Sequence, residues 1–274
     1  MVEEGNGHYA EVNGLNMYYE DYGSGPPLVL IHGGIANSGM NWAPSIPIFS
    51  KHFRVIALDS RGHGKTDNPS GEFSYRLMAD DTVALIKRLG LEKPIIYGWS
   101  DGGQIVLEIG VNYPGLAKAL IPGAALADMS DYYVNFMKVL GINGPGDVDV
   151  KTFKDVYAEF AEAAIGLHSA VYGDHYFEEV LFVNISRMWT DPKAFLGERI
   201  SKIQDPTLVI QGDRDEAIPL EDPVRIHRLI PNSELAIVPG ADHGACISQP
   251  DRIVRIILDY LERLQNKPSA DEPS

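Results

Sequence analysis

The sequence contains almost no cysteine, no long apolar run and few basic residues. Its one cysteine, Cys246, rules out an intrachain disulfide, so the fold depends on its hydrophobic core. No apolar stretch reaches the roughly 18 residues that a membrane-spanning helix needs. The acidic, polar start at residues 1–5 is not that of a signal peptide. Together these features predict a cytoplasmic protein.

Positive charge is also scarce, with 23 Lys and Arg against 38 Asp and Glu and a net charge of −15. Such a surface repels phosphate backbones and anionic lipids, so we predict neither a nucleic-acid nor a membrane partner. The acidity serves solubility or favours cationic substrates, and both interpretations stay open. A chain of 274 residues, 45% of them hydrophobic, can form one large domain, as a monomer or a homodimer.

Short apolar runs alternate with helical patterns near both ends of the chain. Residues 9–19 alternate around Asn13-Gly14, a pair that favours a hairpin turn. Buried strands are predicted at 28–31, 53–58 (beginning near His52), 95–97, 117–121, 207–211 and 234–238. Helices are predicted at 76–89, 102–112, 224–229 and 252–264. This order predicts an α/β fold, a mostly parallel sheet with helices on both faces.

The alternation stops between residues 126 and 203. This stretch, called the cap segment below, shows helical periodicity, as at 153–165, and a Gly- and Asp-rich loop at 140–149. We predict a helical cap at 126–203, a core at 1–125 and 204–265, and a mobile polar tail at 266–274. Large side chains of the segment either line an apolar pocket or pack onto the core: Tyr132, Tyr133, Phe136, Phe177, Phe182, Met188 and Trp189.

The pattern Gly98-Trp99-Ser100-Asp101-Gly102 lies between a predicted strand and a predicted helix. In that context G-x-S-x-G is typical of a nucleophile elbow, a tight turn that presents a serine hydroxyl above the sheet. The glycines avoid clashes within the turn, and the helix N-terminus favours developing negative charge. Ser100 is therefore the predicted nucleophile.

A serine hydroxyl needs a base, and the base needs an acid that orients it. His243 follows the last predicted strand, at the end of the sheet where such folds hold their sites, and is the predicted base. Asp213, Asp215 and Glu216 follow an earlier strand, and each satisfies the chain order serine, acid, histidine. Four other histidines are predicted to lie at the surface: His8, His168, His175 and His227. For His168 and His175, a position that lines a pocket is the alternative.

The predicted oxyanion site combines backbone N–H groups from two separate loops, one after the first buried strand and one at the nucleophile. The small residues of the sequence His32-Gly33-Gly34 follow the first buried strand and let backbone N–H groups approach a ligand. The backbone N–H groups of Gly34 and Asp101 are the predicted donors, with Ile35 nearby.

Segments in four regions of the chain resemble the α/β-hydrolase superfamily, in the family's order. They span most of 8–125 and 204–264 and read HGG at 32–34, DSRGHGKT at 59–66, GWSDGG at 98–103, and GDRD at 212–215 with DHG at 242–244. The resemblance implies that Asp215 is the catalytic acid and that His32 and His63 brace loops around the site. It also implies that Thr66 supplies the hydroxyl that the family takes from serine.

The elbow also resembles that of biphenyl hydrolase-like enzymes, the group of valacyclovir hydrolases, and the stretch YGDHYF at 172–177 is similar to that group. The group's acidic residue after the nucleophile is thought to meet the amino group of aminoacyl esters, and Asp101 matches that position. A carboxylate that stabilises the helix N-terminus is the alternative. Cys246 is interpreted as packing near the site.

These inferences predict a serine esterase that cleaves small carboxylic esters through an acyl-enzyme on Ser100, without cofactor or metal. Lactone hydrolysis, C–C bond hydrolysis and perhydrolysis use the same triad and stay open. A hydrolase-fold receptor without turnover is the alternative from another class. Five side chains are predicted to contact the substrate: Trp99, Asp101, Tyr133, Phe136 and Trp189.

Overall fold

The computed structural model describes residues 6–266; the first five residues and most of the predicted tail lie outside this range. Ten strands lie within it: β1 Asn6–Val12, β2 Leu15–Tyr22, β3 Pro27–Ile31, β4 Arg54–Leu58, β5 Ile95–Trp99, β6 Ala119–Gly123, β7 Ile142–Gly144, β8 Asp147–Val148, β9 Thr207–Gly212 and β10 Ser233–Val238. The same range contains eleven α-helices: α1 Ser38–Trp42, α2 Ile46–Phe49, α3 Tyr75–Arg88, α4 Asp101–Asn112, α5 Asp131–Val139, α6 Val150–Val156, α7 Ala158–Tyr172, α8 Phe182–Trp189, α9 Glu221–Leu229, α10 Ala245–Ser248 and α11 Pro250–Gln265. None of the helices described is long and apolar enough to cross a bilayer.

Eight of the strands form one sheet in the order β1-β2-β4-β3-β5-β6-β9-β10. The hairpin β1–β2 is antiparallel, β2 pairs with β4 antiparallel, and all other pairs are parallel. Every residue of β5 is buried, and since successive side chains point to opposite faces, both faces of the sheet centre are covered. The predicted α/β fold class is confirmed.

Several strands begin or end at residues other than those predicted. His52 does not begin a strand: its N–H donates to the Phe49 carbonyl in the turn after α2, and β4 starts at Arg54. Strand β6 runs to Gly123 rather than to residue 121. Its last two residues, Pro122 and Gly123, rarely occupy strands, so the apolar pattern ends early.

The cap segment contains α5 to α8, a π-helical turn at Tyr176–Leu181 and two short 3₁₀ turns. The predicted loop at 140–149 instead contains the small antiparallel pair β7–β8, whose strands are too short to show a sequence period. The predicted helical stretch at 153–165 is interrupted at Tyr157, where the backbone turns between α6 and α7.

Gly102 lies in close contact with the backbone of the strand next to the elbow. An added Cβ would lie 2.1 Å from the Ile31 carbonyl oxygen, a backbone atom that cannot move away alone. We expect Gly102→Ala to lower the free energy of unfolding by about 3 kcal/mol or more. Gly166→Ala is the control, because this position in α7 has open space and should gain up to about 1 kcal/mol. Urea unfolding measures both, and equal stability of the two variants would contradict the close packing at Gly102.

Candidate active site

Ser100 lies at the turn between β5 and α4, in a backbone conformation that non-glycine residues rarely adopt. Its φ is 58° and its ψ is −117°. A Cβ on Gly98 would lie 2.1 Å from the Gly102 carbonyl oxygen, so the turn can close only with glycine there. The turn therefore places the hydroxyl at the carboxyl end of the central strand.

The structure brings Ser100, His243 and Asp215 together. The distance from Ser100 Oγ to His243 Nε2 is 3.1 Å, and His243 Nδ1 lies 2.9 and 3.0 Å from the two Asp215 carboxylate oxygens. The Asp215 side chain is fully buried and also accepts hydrogen bonds from the Ala217 and Ile218 N–H groups. This is the geometry of a serine nucleophile, a base and an orienting acid.

The two alternative acids have other partners. Asp213 Oδ1 accepts a hydrogen bond from the Gly240 N–H. Glu216 accepts from the Tyr157 hydroxyl and from the backbone N–H of His243, not from its ring. The geometry therefore favours Asp215, although the catalytic roles themselves remain predictions.

Electrostatics in this group favour an ionised acid and a basic imidazole. Burial would raise the pKa of Asp215, but the adjacent His243 and the Ala217 and Ile218 N–H groups outweigh it and lower that pKa. Burial would lower the pKa of His243, but the Asp215 carboxylate outweighs it and raises that pKa. His243 is thereby a stronger base than an isolated histidine.

The raised pKa of His243 predicts the acid limb of the activity profile. The neutral imidazole accepts the serine proton, so activity is full above the pKa of His243 and lost below it. We expect kcat/KM to reach half its maximum at a pH above 6.5, the ordinary histidine value. Rates from about pH 5 to about pH 9 locate this midpoint. A midpoint at or below 6.5 would contradict the Asp215–His243 interaction.

The loop after β3 passes beside the nucleophile. A Cβ on Gly33 would lie 3.3 Å from the Cβ of Ser100, and the Gly33 N–H donates to Asn41 Oδ1 at 2.6 Å. Ile35 has a φ of 52°, so the loop turns sharply after Gly34. Gly34 lies in this loop next to Gly33, and its role as an oxyanion donor stays a prediction. The sequence alone does not point to Asn41, because this residue lies in the short helix α1, which no apolar period marks.

A cavity of about 330 Å³ opens above Ser100. All five predicted substrate-contact residues line it. The other four large side chains predicted in the cap segment do not line the cavity. Phe177, Phe182 and Met188 are buried elsewhere, and Tyr132 is exposed. For these four side chains the prediction that they line an apolar pocket is wrong. Further lining residues come from the cap segment and from the loop after β9: Met137, Leu140, Phe153, Tyr157, Phe160, Glu216, Ala217 and Ile218.

The charged groups of this cavity lining are acidic. Asp101, Glu216 and Asp242 line it together with His243, whereas the described lining residues include no lysine or arginine. Asp101 is 6% exposed and accepts hydrogen bonds from the Tyr75 hydroxyl and the Trp189 indole. Burial raises the pKa of Asp101 to about 6, against the opposing effect of these two donors. Apart from His243, the ionisable lining side chains named here are therefore all carboxylates.

Histidines behind the site brace its loops. His32 Nε2 accepts the Ser60 N–H, and the Nδ1 atoms of His32 and His63 contact the carbonyls of Gly33 and Arg61. The expected surface position of His168 is wrong: its side chain is buried and Nε2 accepts the Gly64 N–H. Helix α7 packs this histidine against the 59–66 loop, a contact that helical periodicity alone does not indicate.

Two further predictions concern residues beside the site. Thr66 Oγ1 donates to the Asp59 carbonyl and accepts from the Tyr18 N–H, so its hydroxyl braces the loop. Cys246 is buried at the cavity wall, and burial raises the pKa of its thiol well above the ordinary value. A thiol held protonated packs against the cavity rather than acting as a nucleophile.

The parallel sheet, the elbow and the Ser–His–Asp geometry together define an α/β hydrolase. The model of the alpha/beta hydrolase fold family matches residues 26–135, and that of the TAP-like protein family matches residues 187–272. The solved structure of CarC, a serine hydrolase involved in carbazole degradation, is 30% identical with a TM-score of 0.73 and covers 93% of this chain and 98% of its own. The chain belongs to the α/β-hydrolase family and is a hydrolase.

Two curated relatives match over most of their length. The 2-hydroxy-6-oxo-6-(2'-aminophenyl)hexa-2,4-dienoic acid hydrolase of Metapseudomonas resinovorans is 28% identical, over 93% of this chain and 90% of its own. The human serine hydrolase BPHL is 26% identical, over 92% of this chain and 84% of its own. The second match agrees with the resemblance of the elbow to biphenyl hydrolase-like enzymes.

Proposed function

We propose that this protein is a serine hydrolase that cleaves small carboxylic esters bearing no negative charge. The supporting observation is a serine–histidine–aspartate group that opens into a mostly apolar cavity with three carboxylates and no lysine or arginine among its described lining residues. An apolar cavity holds an uncharged acyl or alcohol group, and the hydrolase fold supplies the chemistry.

In this proposal Ser100 attacks the ester carbonyl while His243 Nε2 takes its proton. Asp215 keeps the His243 ring in the tautomer whose Nε2 is free, and it stabilises the imidazolium that forms. The backbone N–H groups of Gly34 and Asp101 stabilise the oxyanion. His243 then protonates the leaving alcohol, and a water molecule activated by His243 cleaves the acyl-enzyme.

C–C bond hydrolysis is the alternative favoured by several relatives, among them the one whose name specifies a dienoic acid. At neutral pH such a substrate carries a carboxylate, which binds well only where a cation or several N–H donors meet it. In this cavity its charge would instead lie near the carboxylates of Asp101, Glu216 and Asp242. Lactones share the uncharged carbonyl of esters and fit the same proposal as a second substrate class.

The proposal is tested with two p-nitrophenyl esters of similar size, the heptanoate and the hemiadipate, which differ in a terminal carboxylate, with rates corrected for hydrolysis without enzyme. We expect kcat/KM for the neutral ester to exceed that for the anionic one by about 100-fold, because like charges at close range cost several kcal/mol. A neutral lactone and a 2-hydroxy-6-oxo-dienoic acid complete the panel. Equal rates for the two esters, or faster cleavage of the dienoic acid, would contradict the proposal. Absence of all turnover would favour a non-catalytic receptor.

A further inference from the structure

The Asp101 carboxylate joins the core to the cap segment. It accepts a hydrogen bond from the hydroxyl of Tyr75, in α3, and from the indole N–H of Trp189, at the end of α8. We propose that Asp101 is a positioning residue that holds Trp189 over the oxyanion loop, and not a receptor for a substrate amino group. The kinetic part of this inference rests on the proposed esterase function.

The three side chains form a closed, buried set. Tyr75, Asp101 and Trp189 are 2%, 6% and 7% exposed, and the donor–acceptor distances are 2.8 to 2.9 Å. A phenol has one O–H and an indole has one N–H, so Tyr75 and Trp189 each donate their only side-chain hydrogen bond to this carboxylate. Removing the carboxylate would leave two buried donors unpaired, and Trp189 would lose the bond that fixes its ring.

Gly34 connects this set to the oxyanion loop. A Cβ at position 34 would lie 2.4 Å from Trp189 Cζ2 and 2.6 Å from Asp101 Oδ2. The indole and the carboxylate therefore pack directly on the backbone that carries the predicted oxyanion donor. If Trp189 moves, the cavity wall and the support of the Gly34 backbone change together, so both KM and kcat should respond.

The same contacts argue against an amine receptor. A substrate ammonium group could use only the remaining lone pairs of a carboxylate that is 6% exposed and already accepts from Trp189 and Tyr75. Asp101 also interacts electrostatically with His243, and its negative charge helps to raise the pKa of His243. Among groups around Asp101, Tyr75 and Tyr133 have pKa values raised mainly by burial, so both stay neutral near pH 7.

The kinetic experiment compares Asp101→Ala, Asp101→Asn, Trp189→Phe and the double variant Asp101→Ala/Trp189→Phe. We expect Asp101→Ala to lower kcat/KM roughly 10-fold to 100-fold, and equally for a p-nitrophenyl ester of butyric acid and one of an amino acid. The kcat/KM of the double variant should be no more than about twofold below that of the less active single variant. Both single substitutions remove the same contact between Asp101 and Trp189, so their effects should not add. In Asp101→Asn the acid limb should move slightly to lower pH, because one of the negative charges that add to the effect of Asp215 on the pKa of His243 is gone.

The matched control is Asp222→Asn. Asp222 is 8% exposed, has a pKa raised to about 6 by burial, and accepts the Ala127 N–H outside the cavity. Its replacement should leave the acid limb unchanged. Loss confined to the aminoacyl ester in Asp101→Asn would overturn the positioning role in favour of amine binding, and additive effects in the double variant would also overturn it.

Hydrogen–deuterium exchange separates this inference from the esterase proposal. Amides of α8, residues 182–189, should exchange faster in Asp101→Ala than in the wild-type protein or in Asp222→Asn. This readout needs no turnover. If the wild-type protein cleaves no ester, the function proposal fails while exchange still decides the role of Asp101. Unchanged exchange in α8 would overturn the positioning role even if the esters are cleaved.

Discussion

Replacement of Ser100 by alanine is expected to lower kcat/KM for p-nitrophenyl valerate by about 10⁵-fold to 10⁶-fold. The hydroxyl is the atom that forms the acyl-enzyme, and its 3.1 Å contact with His243 Nε2 is the path for its proton. Alanine removes both and leaves only catalysis by the oxyanion donors and by substrate binding. Steady-state assays at high enzyme concentration measure the residual rate.

The control for this variant is Ser60→Ala. The Ser60 hydroxyl is buried in a loop near the site, and it makes no hydrogen bond within the described part of the chain. Its loss should leave kcat/KM within about threefold of the wild-type value, as expected for a neutral substitution. More than about a hundredth of wild-type activity in Ser100→Ala would show that another group carries the reaction.

Asp215→Asn is expected to reduce kcat by about 10⁴-fold. The asparagine oxygen can keep the Ala217 and Ile218 N–H bonds, which turns its NH₂ group toward His243 Nδ1. The histidine proton would then move to Nε2, and Nε2 could no longer accept the proton of Ser100. The fold should change little because the replacement has nearly the same shape.

Asp213→Asn is the comparison that separates the two carboxylates. Asp213 contacts the Gly240 N–H, an acceptor role that the asparagine oxygen can retain. We expect kcat to stay within about threefold of wild type, as for an ordinary surface change. If Asp213→Asn proves as damaging as Asp215→Asn, the acid assignment fails.

Short-range signals account for most of what the sequence predicted. The run Ile95-Ile96-Tyr97 followed by glycine and serine marks a buried strand and a turn, and the structure has β5, Ser100 and α4 there. The fold class followed from the same alternation. The family resemblance added the choice of Asp215, which loop composition alone left equal to its two acidic neighbours.

The missed features depend on contacts between distant parts of the chain. His168 and Gly64 are 104 residues apart, and only the packing of α7 on the core makes that histidine buried. The bond between Trp189 and Asp101 spans 88 residues and fixes the cavity wall. Helical periodicity indicates that such helices exist but not where they pack, so the cavity shape could not be predicted.

The most direct test of the account is labelling with an alkyl fluorophosphonate, which reacts with an activated serine and forms a stable adduct. We predict one adduct per chain, located on Ser100 by mass spectrometry of the peptide that contains β5 and α4. Ester turnover should fall in proportion to labelling, and His243→Ala should label far more slowly. An adduct on another residue, or ester turnover that survives complete labelling of Ser100, would contradict the serine mechanism.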